Sequence, residues 1–131
     1  MKLRAFGRLL GLWMVAYPLA GLADPTLECN ASSQVEIGEC LNTVAAGVDG
    51  ALEVALEIAG SAAAELDEVT GREVAGPALE AAQAAWVAWR DAQCDFVGAG
   101  FGGGSGTGIA IAACRIDLGR ARVDQLIASA Q

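Results

Sequence analysis

The chain has 131 residues, with 8 Lys and Arg against 16 Asp and Glu, a formal net charge of −8, and no histidine. A chain of this length suits one small domain. The absence of histidine excludes the Ser-His-Asp triad, the Cys-His pair and His-ligated zinc, so we do not expect an ordinary hydrolase.

Residues 1–23 have the pattern of a secretory signal peptide, because three basic residues precede an apolar run over residues 9–22 and small residues precede the exit at Ala23. The run is shorter than the roughly 20 residues of a membrane-spanning helix, so an uncleaved anchor is the less favoured alternative. No cysteine directly follows Ala23, and a lipoprotein anchor is therefore not expected. We predict cleavage near Ala23 and an exported domain over residues 24–131, in the periplasm or outside the cell.

Removal of residues 1–23 leaves 5 basic and 16 acidic residues, a net charge of −11. Such a charge repels nucleic acid and anionic lipid, and it attracts a basic protein or a cationic ligand. We therefore predict no nucleic-acid partner and no stable membrane anchor after cleavage. The alternative interpretation is that the charge only keeps an alanine-rich exported protein soluble.

The first helix of this domain is marked by a capping box, Ser33 with Glu36 three residues later. Behind it, a predicted apolar stripe at helical spacing consists of Leu41, Val44, Val48, Leu52, Ala55, Ala59 and Leu66. Each interior glycine costs about 1 kcal/mol relative to alanine, so we predict a kink or break near Gly47–Gly50. A turn or loop is expected over residues 70–76.

A second helix is predicted to open at Gly76-Pro77, with proline at its first position, and to end at Gly98. Its apolar stripe consists of Leu79, Ala82, Trp86, Trp89 and Val97. Gly98–Gly108 holds seven glycines in eleven residues and predicts a loop. A final helix is expected from about Ile109 to Ala128, with the stripe Ile109, Ala113, Ile116, Val123 and Ile127. No strand pattern follows residue 23, so the predicted fold is all-α: a small disulfide-stapled bundle with a long antiparallel helical hairpin.

Four cysteines in an exported chain should be oxidised in pairs, and three connectivities are possible in principle. In the predicted hairpin, Cys94 and Cys114 stand level to within about 3 Å along the helix axes, which favours a bridge between them. Cys29 and Cys40 then pair by elimination and tie an extended segment to the first helix. Each bridge is expected to stabilise a thin, alanine-dominated core by roughly 3 kcal/mol in the chain-entropy description.

The segment Gln83–Cys94, QAAWVAWRDAQC, resembles the signature segment of the LprI-like lysozyme-inhibitor family. The early cysteine pair, the loop Gly103-Gly104-Ser105, and a closing helix agree with that family; the closing helix contributes Cys114, Leu118, Arg122 and Leu126. The resemblance covers essentially all of residues 24–131. It implies a small, secreted, disulfide-bearing helical domain whose namesake inhibits lysozyme.

Three positions depart from the family pattern. Leu52-Glu53 followed by Leu56 stands where the family shows Leu-Asn and then a tyrosine, and Gly119 stands where a threonine is usual. Glu53 and Leu56 replace the family's asparagine and tyrosine, which puts a role for that polar pair in doubt.

The signature residues Gln83, Trp86 and Arg90 lie along one side of the second helix together with Cys94. In the structural interpretation, Trp86 fills the core beside the Arg90 stem, and a carboxylate on a facing helix holds the guanidinium. In the functional interpretation, Arg90 and Asp91 point in different directions and form part of a partner-binding rim. Arg122 admits the same two interpretations.

The glycine loop provides the candidate partner contact: Phe101 and Ser105, with Gly103 and Gly104 between them, could enter a partner's cleft. The alternative is that this loop only closes the hairpin. Gly98–Gly103 formally matches G-x-G-x-x-G, but it follows a helix and not a strand, so we predict no nucleotide site. The carboxylates Glu65, Asp67 and Glu68 are interpreted as a solvated helix face, and we expect no metal and no cofactor.

The sequence thus predicts a binding protein and not an enzyme. The leading hypothesis is an inhibitor that contacts lysozyme or another basic protein. One alternative is an envelope-interaction or stress protein with an unrelated partner. Another is a small-ligand binder that uses a groove beside Trp86 and Trp89.

Overall fold

A computed structural model describes residues 24–131, which form four helices: α1 (Pro25–Glu28), α2 (Gln34–Thr70), α3 (Ala75–Ala99) and α4 (Gly106–Ser129). This part of the chain contains no strand, which confirms the all-α prediction. The predicted signal peptide, residues 1–23, lies outside the described residues. From residue 24 onward, no helix combines the length and the apolar character that a membrane crossing requires.

Helix α2 begins at the predicted capping box. The Ser33 hydroxyl accepts a hydrogen bond from the Glu36 N–H at 3.3 Å, and the Glu36 carboxylate accepts one from the Ser33 N–H at 3.1 Å. The predicted break near Gly47–Gly50 is wrong, because α2 continues for 37 residues to Thr70. Packing against α4 along this length outweighs the helix propensity of the glycines. Gly71, at φ +65°, ends the helix in the left-handed conformation.

Helix α1 occupies the segment that was expected to be extended. The Asp24 carboxylate accepts hydrogen bonds from the Thr26 hydroxyl and N–H at 2.7 and 2.9 Å, which caps a single turn and lowers the pKa of Asp24. Glu28 in this turn forms a two-bond ion pair with Arg120 of α4 at 2.7 and 2.8 Å. That hydrogen bonding lowers the pKa of Glu28. The N-terminal turn is therefore fastened to α4.

Asp67, near the end of α2, caps the start of α3. Its carboxylate accepts backbone hydrogen bonds from Val74, Ala75 and Gly76 at 3.1, 2.8 and 2.9 Å. These bonds, foremost the one from Gly76, lower the pKa of Asp67. The solvated-face interpretation is thus wrong for Asp67. Helix α3 begins at Ala75, so Pro77 is its third residue and not its first.

The core consists of two clusters. Leu52, Ala55 and Ala59 of α2 pack with Leu126 of α4, and Cys29, Leu41 and Ile116 form the second cluster. Helix α3 contributes only Cys94 and Gly98 as fully buried residues. Three predicted core residues are exposed instead: Leu66 (55%), Trp89 (51%) and Ala82. Each of the three long helices buries only a narrow stripe of its surface. The side chains of Leu66, Ala82 and Trp89 lie outside these stripes.

Both predicted disulfides are present, with Cα–Cα distances of 5.6 Å for Cys29–Cys40 and 5.5 Å for Cys94–Cys114. The irregular loop is shorter than predicted, because α3 reaches Ala99 and α4 begins at Gly106. Gly98 belongs to the helix and is buried. A Cβ atom at this position would lie 2.5 Å from the Ile111 Cγ1 atom. A glycine at this position permits the close approach of α3 and α4 next to the bridge.

Candidate functional site

Trp86 lies where α3 meets the other two long helices. The ring is partly buried and packs against the cluster of Leu52, Ala55, Ala59 and Leu126. The guanidinium carbons of Arg90 and Arg122 lie over this ring, 5.1 and 5.8 Å from the ring centroid. Two cations therefore cover an aromatic ring that also belongs to the core.

Arg90 is paired with the residue that follows it. Its Nε donates a hydrogen bond to the Asp91 carboxylate at 3.1 Å, and its side chain is only 17% exposed. The same carboxylate oxygen lies 3.7 Å from the Arg115 Nε of α4. The structural interpretation is correct for the packing of Trp86, but the carboxylate comes from Asp91 and not from a facing helix. The side chains of Arg90 and Asp91 therefore contact each other, whereas the rim interpretation expected them to point in different directions.

Arg122 reaches the same cluster from α4. Its Nε donates a hydrogen bond to the Gln83 side-chain oxygen at 3.0 Å, and one terminal nitrogen donates to Gln125 at 3.4 Å. The structure thus brings together all five signature residues, Gln83, Trp86, Arg90, Asp91 and Arg122. The arrangement holds α3 and α4 in register, and it presents no pair of free carboxylates suited to acid–base chemistry.

The candidate partner loop lies at the far end of α3, roughly 20 Å along the helix axis from Trp86. It is a series of hydrogen-bonded turns, in which the Phe101 N–H donates to the Gly98 carbonyl at 3.0 Å and the Gly104 N–H to the Phe101 carbonyl at 3.2 Å. Phe101 is 55% exposed. Gly103 has φ +79°, a conformation that favours glycine.

Ser105 stands at the N-cap position of α4, yet its side chain caps no backbone N–H there. The loop therefore presents an exposed ring and a hydroxyl close to each other at the tip of the hairpin. The signature cluster and the loop are separate places on the molecule.

Two open grooves border α3. One, of about 400 Å³, lies between α3 and α4 and includes Phe101, Val97 and Asp117 in its walls. The other, of about 520 Å³, lies between α2 and α3 and is lined by Leu56, Gly60, Leu79, Glu80, Gln83, Ala84 and Val87. Neither groove is lined by Trp86 or Trp89, so these two grooves do not match the predicted tryptophan-lined ligand site.

Asp117 is the residue of this region that the sequence reasoning missed. Its Oδ1 atom is buried without a hydrogen-bond partner in the described part of the chain. Desolvation by burial raises the pKa of Asp117, and the carboxylates of Asp24 and Glu28 raise it further against the opposing effect of Arg120. One signal was available: Asp117 follows the bridging Cys114 by three positions, and so lies on the side of α4 that meets α3.

Residues 24–131 contain no group of three or more acidic, cysteine or histidine side chains that could hold a metal ion. The features of the site are instead an exposed loop, apolar grooves and a rigid arginine–tryptophan cluster. They belong to a small disulfide-bonded helical domain.

The chain is a member of the family described as "Lysozyme inhibitor LprI", whose profile matches residues 28–126. This match confirms the resemblance seen in the signature segment. Searches among curated proteins and among solved structures found no match.

Proposed function

We propose that this protein is an exported inhibitor that binds a lysozyme by protein–protein contact and blocks its cleft. The observation that carries the proposal is the family match over residues 28–126. The family name refers to inhibition and not to catalysis, in agreement with the absence of histidine from the whole chain.

The charge of residues 24–131 supports a basic partner. The 16 acidic residues exceed the 5 basic ones, and lysozymes are commonly basic proteins, so long-range attraction would speed their encounter. The cleft of a lysozyme contains acidic catalytic groups that would repel an acidic surface. The uncharged loop over residues 100–105 is therefore the part proposed to enter the cleft, with acidic faces steering the approach.

Export agrees with two further features. Both disulfides require an oxidising compartment, and residues 1–23 have the composition of a cleaved signal peptide. We place the working protein, residues 24–131, in the periplasm or outside the cell.

The test is residual lysozyme activity on cell-wall substrate against increasing amounts of the exported protein, purified from the oxidising compartment after expression of all 131 residues. Lysozymes of several types are assayed at two salt concentrations. Saturable inhibition that is lost after reduction and alkylation is the expected result. No inhibition of any type would reject the proposal and favour an envelope protein with another partner.

A matched pair of variants locates the contact. Phe101→Ala removes the exposed ring of the loop, and Phe96→Ala removes a ring on α3 that is 74% exposed. We expect only Phe101→Ala to weaken inhibition, by about tenfold if the ring is a central anchor. Equal effects of the two substitutions would show that the loop does not enter the cleft.

A further inference from the structure

The groove between α3 and α4 has apolar walls and one carboxylate. Val97 and Leu118 line it together with Phe101, and Gln93 and Asp117 add its polar groups. It adjoins the loop that we propose to enter the partner, since Phe101 belongs to both. Its volume of about 400 Å³ is sufficient for one long side chain.

Asp117 is held in this groove at an energetic cost. A buried carboxylate oxygen is unfavourable when it has lost water and gained no hydrogen-bond donor, and residues 24–131 supply no donor to the Asp117 Oδ1 atom. Among the residues that the structure describes, the charges that act on it are Asp24 at the N-cap of α1, Glu28 of α1 and Arg120 of its own helix, two negative and one positive. Arg120 is bonded to Glu28 through both of its terminal nitrogens. A further cation at Asp117 would be attracted by this surplus of negative charge.

We propose that the groove binds an arginine side chain of a basic partner protein, with the aliphatic stem against Val97 and Leu118 and the guanidinium at Asp117. This inference rests on the proposed function and names the chemistry of the contact. Charge complementarity supports it, since residues 24–131 carry a net charge of −11.

Arginine fits this groove better than lysine does. A guanidinium is planar, bonds a carboxylate through two donors and stacks on an aromatic face, and Phe101 supplies an aromatic ring in the wall of the same groove as Asp117. The protein already uses this pairing internally, where Arg90 and Arg122 lie over Trp86. An ammonium group would engage the carboxylate but would gain less from the ring.

The first experiment does not involve lysozyme. Isotope-labelled exported protein is titrated with Nα-acetyl-arginine amide, and backbone amide shifts are followed by NMR. The neutral isostere Nα-acetyl-citrulline amide is the control ligand. We expect saturable shifts that are confined to the groove with the arginine probe, and none with citrulline. Equal shifts from both probes, or none from either, would overturn the proposal.

Two charge-matched variants on the same helix make the test specific. Asp117→Asn removes the groove carboxylate, and Asp124→Asn removes an exposed one. We expect Asp117→Asn to abolish the arginine shifts and to raise the concentration for half-inhibition of lysozyme by about tenfold. Asp124→Asn should change neither by more than about twofold. Thermal unfolding verifies that both variants are folded.

The two proposals fail separately. If the wild type inhibits lysozyme and Asp117→Asn inhibits it equally well, the groove takes no part in the contact and this inference is rejected, whereas the proposed function stands. If no lysozyme is inhibited but the arginine probe still binds and requires Asp117, the proposed function is rejected and the arginine site stands.

Discussion

Val48 of α2 lies against Gly119 of α4 so closely that a Cβ atom on residue 119 would come within 2.5 Å of the Val48 Cγ1 atom. Gly119 is buried, and the two helices approach each other at this point. The family resemblance predicts a threonine at this position, and here the Val48 side chain occupies the space that the larger residue would need. The departure noted in the sequence is therefore explained by its neighbour across the helix interface.

Gly119→Ala should lower the free energy of unfolding by about 1–3 kcal/mol, because the added methyl group overpacks the interface. Val48→Ala creates space for that methyl group. The double variant should therefore lose less free energy of unfolding than the two single variants together, by about 1 kcal/mol. Urea unfolding of the four proteins measures this coupling. Gly47→Ala is the control, since a Cβ there meets no atom within 4 Å, and it should be neutral or stabilising. Simple additivity would contradict the close contact.

Asp67→Ala should lower the melting temperature at neutral pH, because three N–H groups at the start of α3 lose the Asp67 carboxylate as an acceptor, and that of Val74 keeps only the Arg72 carbonyl. The folded state lowers the pKa of Asp67 below its ordinary value of 3.8. Its stabilising effect is therefore complete above that ordinary value and is lost as the pH falls through the lower folded-state pKa. Melting curves of wild type and variant should converge in acid. Glu65→Ala, on an exposed residue of the same helix, is the control and should leave the melting temperature at neutral pH unchanged.

Replacing Cys94 and Cys114 together by alanine should lower the free energy of unfolding by about 3 kcal/mol, because the bridge closes a loop with a sequence separation of 20. Denaturant unfolding of the otherwise oxidised protein provides the value. Cys94 is fully buried, so part of the loss will come from packing. A loss below about 1 kcal/mol would show that the helices are held in register by packing alone.

Arg122→Lys should lower the free energy of unfolding by about 0.5–1 kcal/mol, since an ammonium group replaces neither the stacking on Trp86 nor the Nε–H bond to Gln83. Arg72→Lys, in the exposed turn between α2 and α3, is the control and should be neutral. If the two substitutions have equal effects in urea unfolding, the arginine–tryptophan cluster is not a stabilising element.

Asp117→Asn should raise the stability at neutral pH. The folded state raises the pKa of Asp117 above 3.8, so the protonated carboxyl is favoured in the folded protein. Stability from this group is present at acid pH and is lost as the pH rises through the folded-state value. The asparagine side chain does not ionise, so the variant avoids this loss of stability. Its melting temperature should therefore exceed that of wild type at pH 7 but not in acid. A lower melting temperature at pH 7 would refute the unfavourable burial of this carboxylate.

The sequence was sufficient for the elements that depend on local rules. The Ser33–Glu36 capping box and the hairpin follow from residue spacing, the Cys94–Cys114 pairing follows from the hairpin, and the Cys29–Cys40 pairing follows by elimination. The structure has all of them. The continuity of α2 through Gly47–Gly50 could not be predicted in this way, because burial against α4 decides it. The α3 cap by Asp67 was missed for a similar reason, since its partners are seven to nine residues away across a turn.

For the candidate site, sequence reasoning named the residues better than their partners. Trp86, Arg90 and Arg122 were identified, but the pairing of Arg90 with Asp91 was not, because adjacent side chains on a helix were expected to diverge. Asp117 was missed because its importance depends on what surrounds it: a groove, the carboxylates of Asp24 and Glu28, and the lack of a hydrogen-bond donor among residues 24–131. Such surroundings exist only once the helices are packed.

The Cys94–Cys114 bridge also makes the hairpin a closed covalent ring, with the exposed turns over residues 100–105 inside it. A protease that cuts these turns would leave two fragments that remain joined through sulfur and migrate apart only after reduction. An exported protein that meets proteases would thus keep α3 and α4 in register after a cut at its most accessible segment. Inhibition assays with this cleaved form would distinguish the contribution of an intact loop to lysozyme inhibition from the contribution of the folded domain.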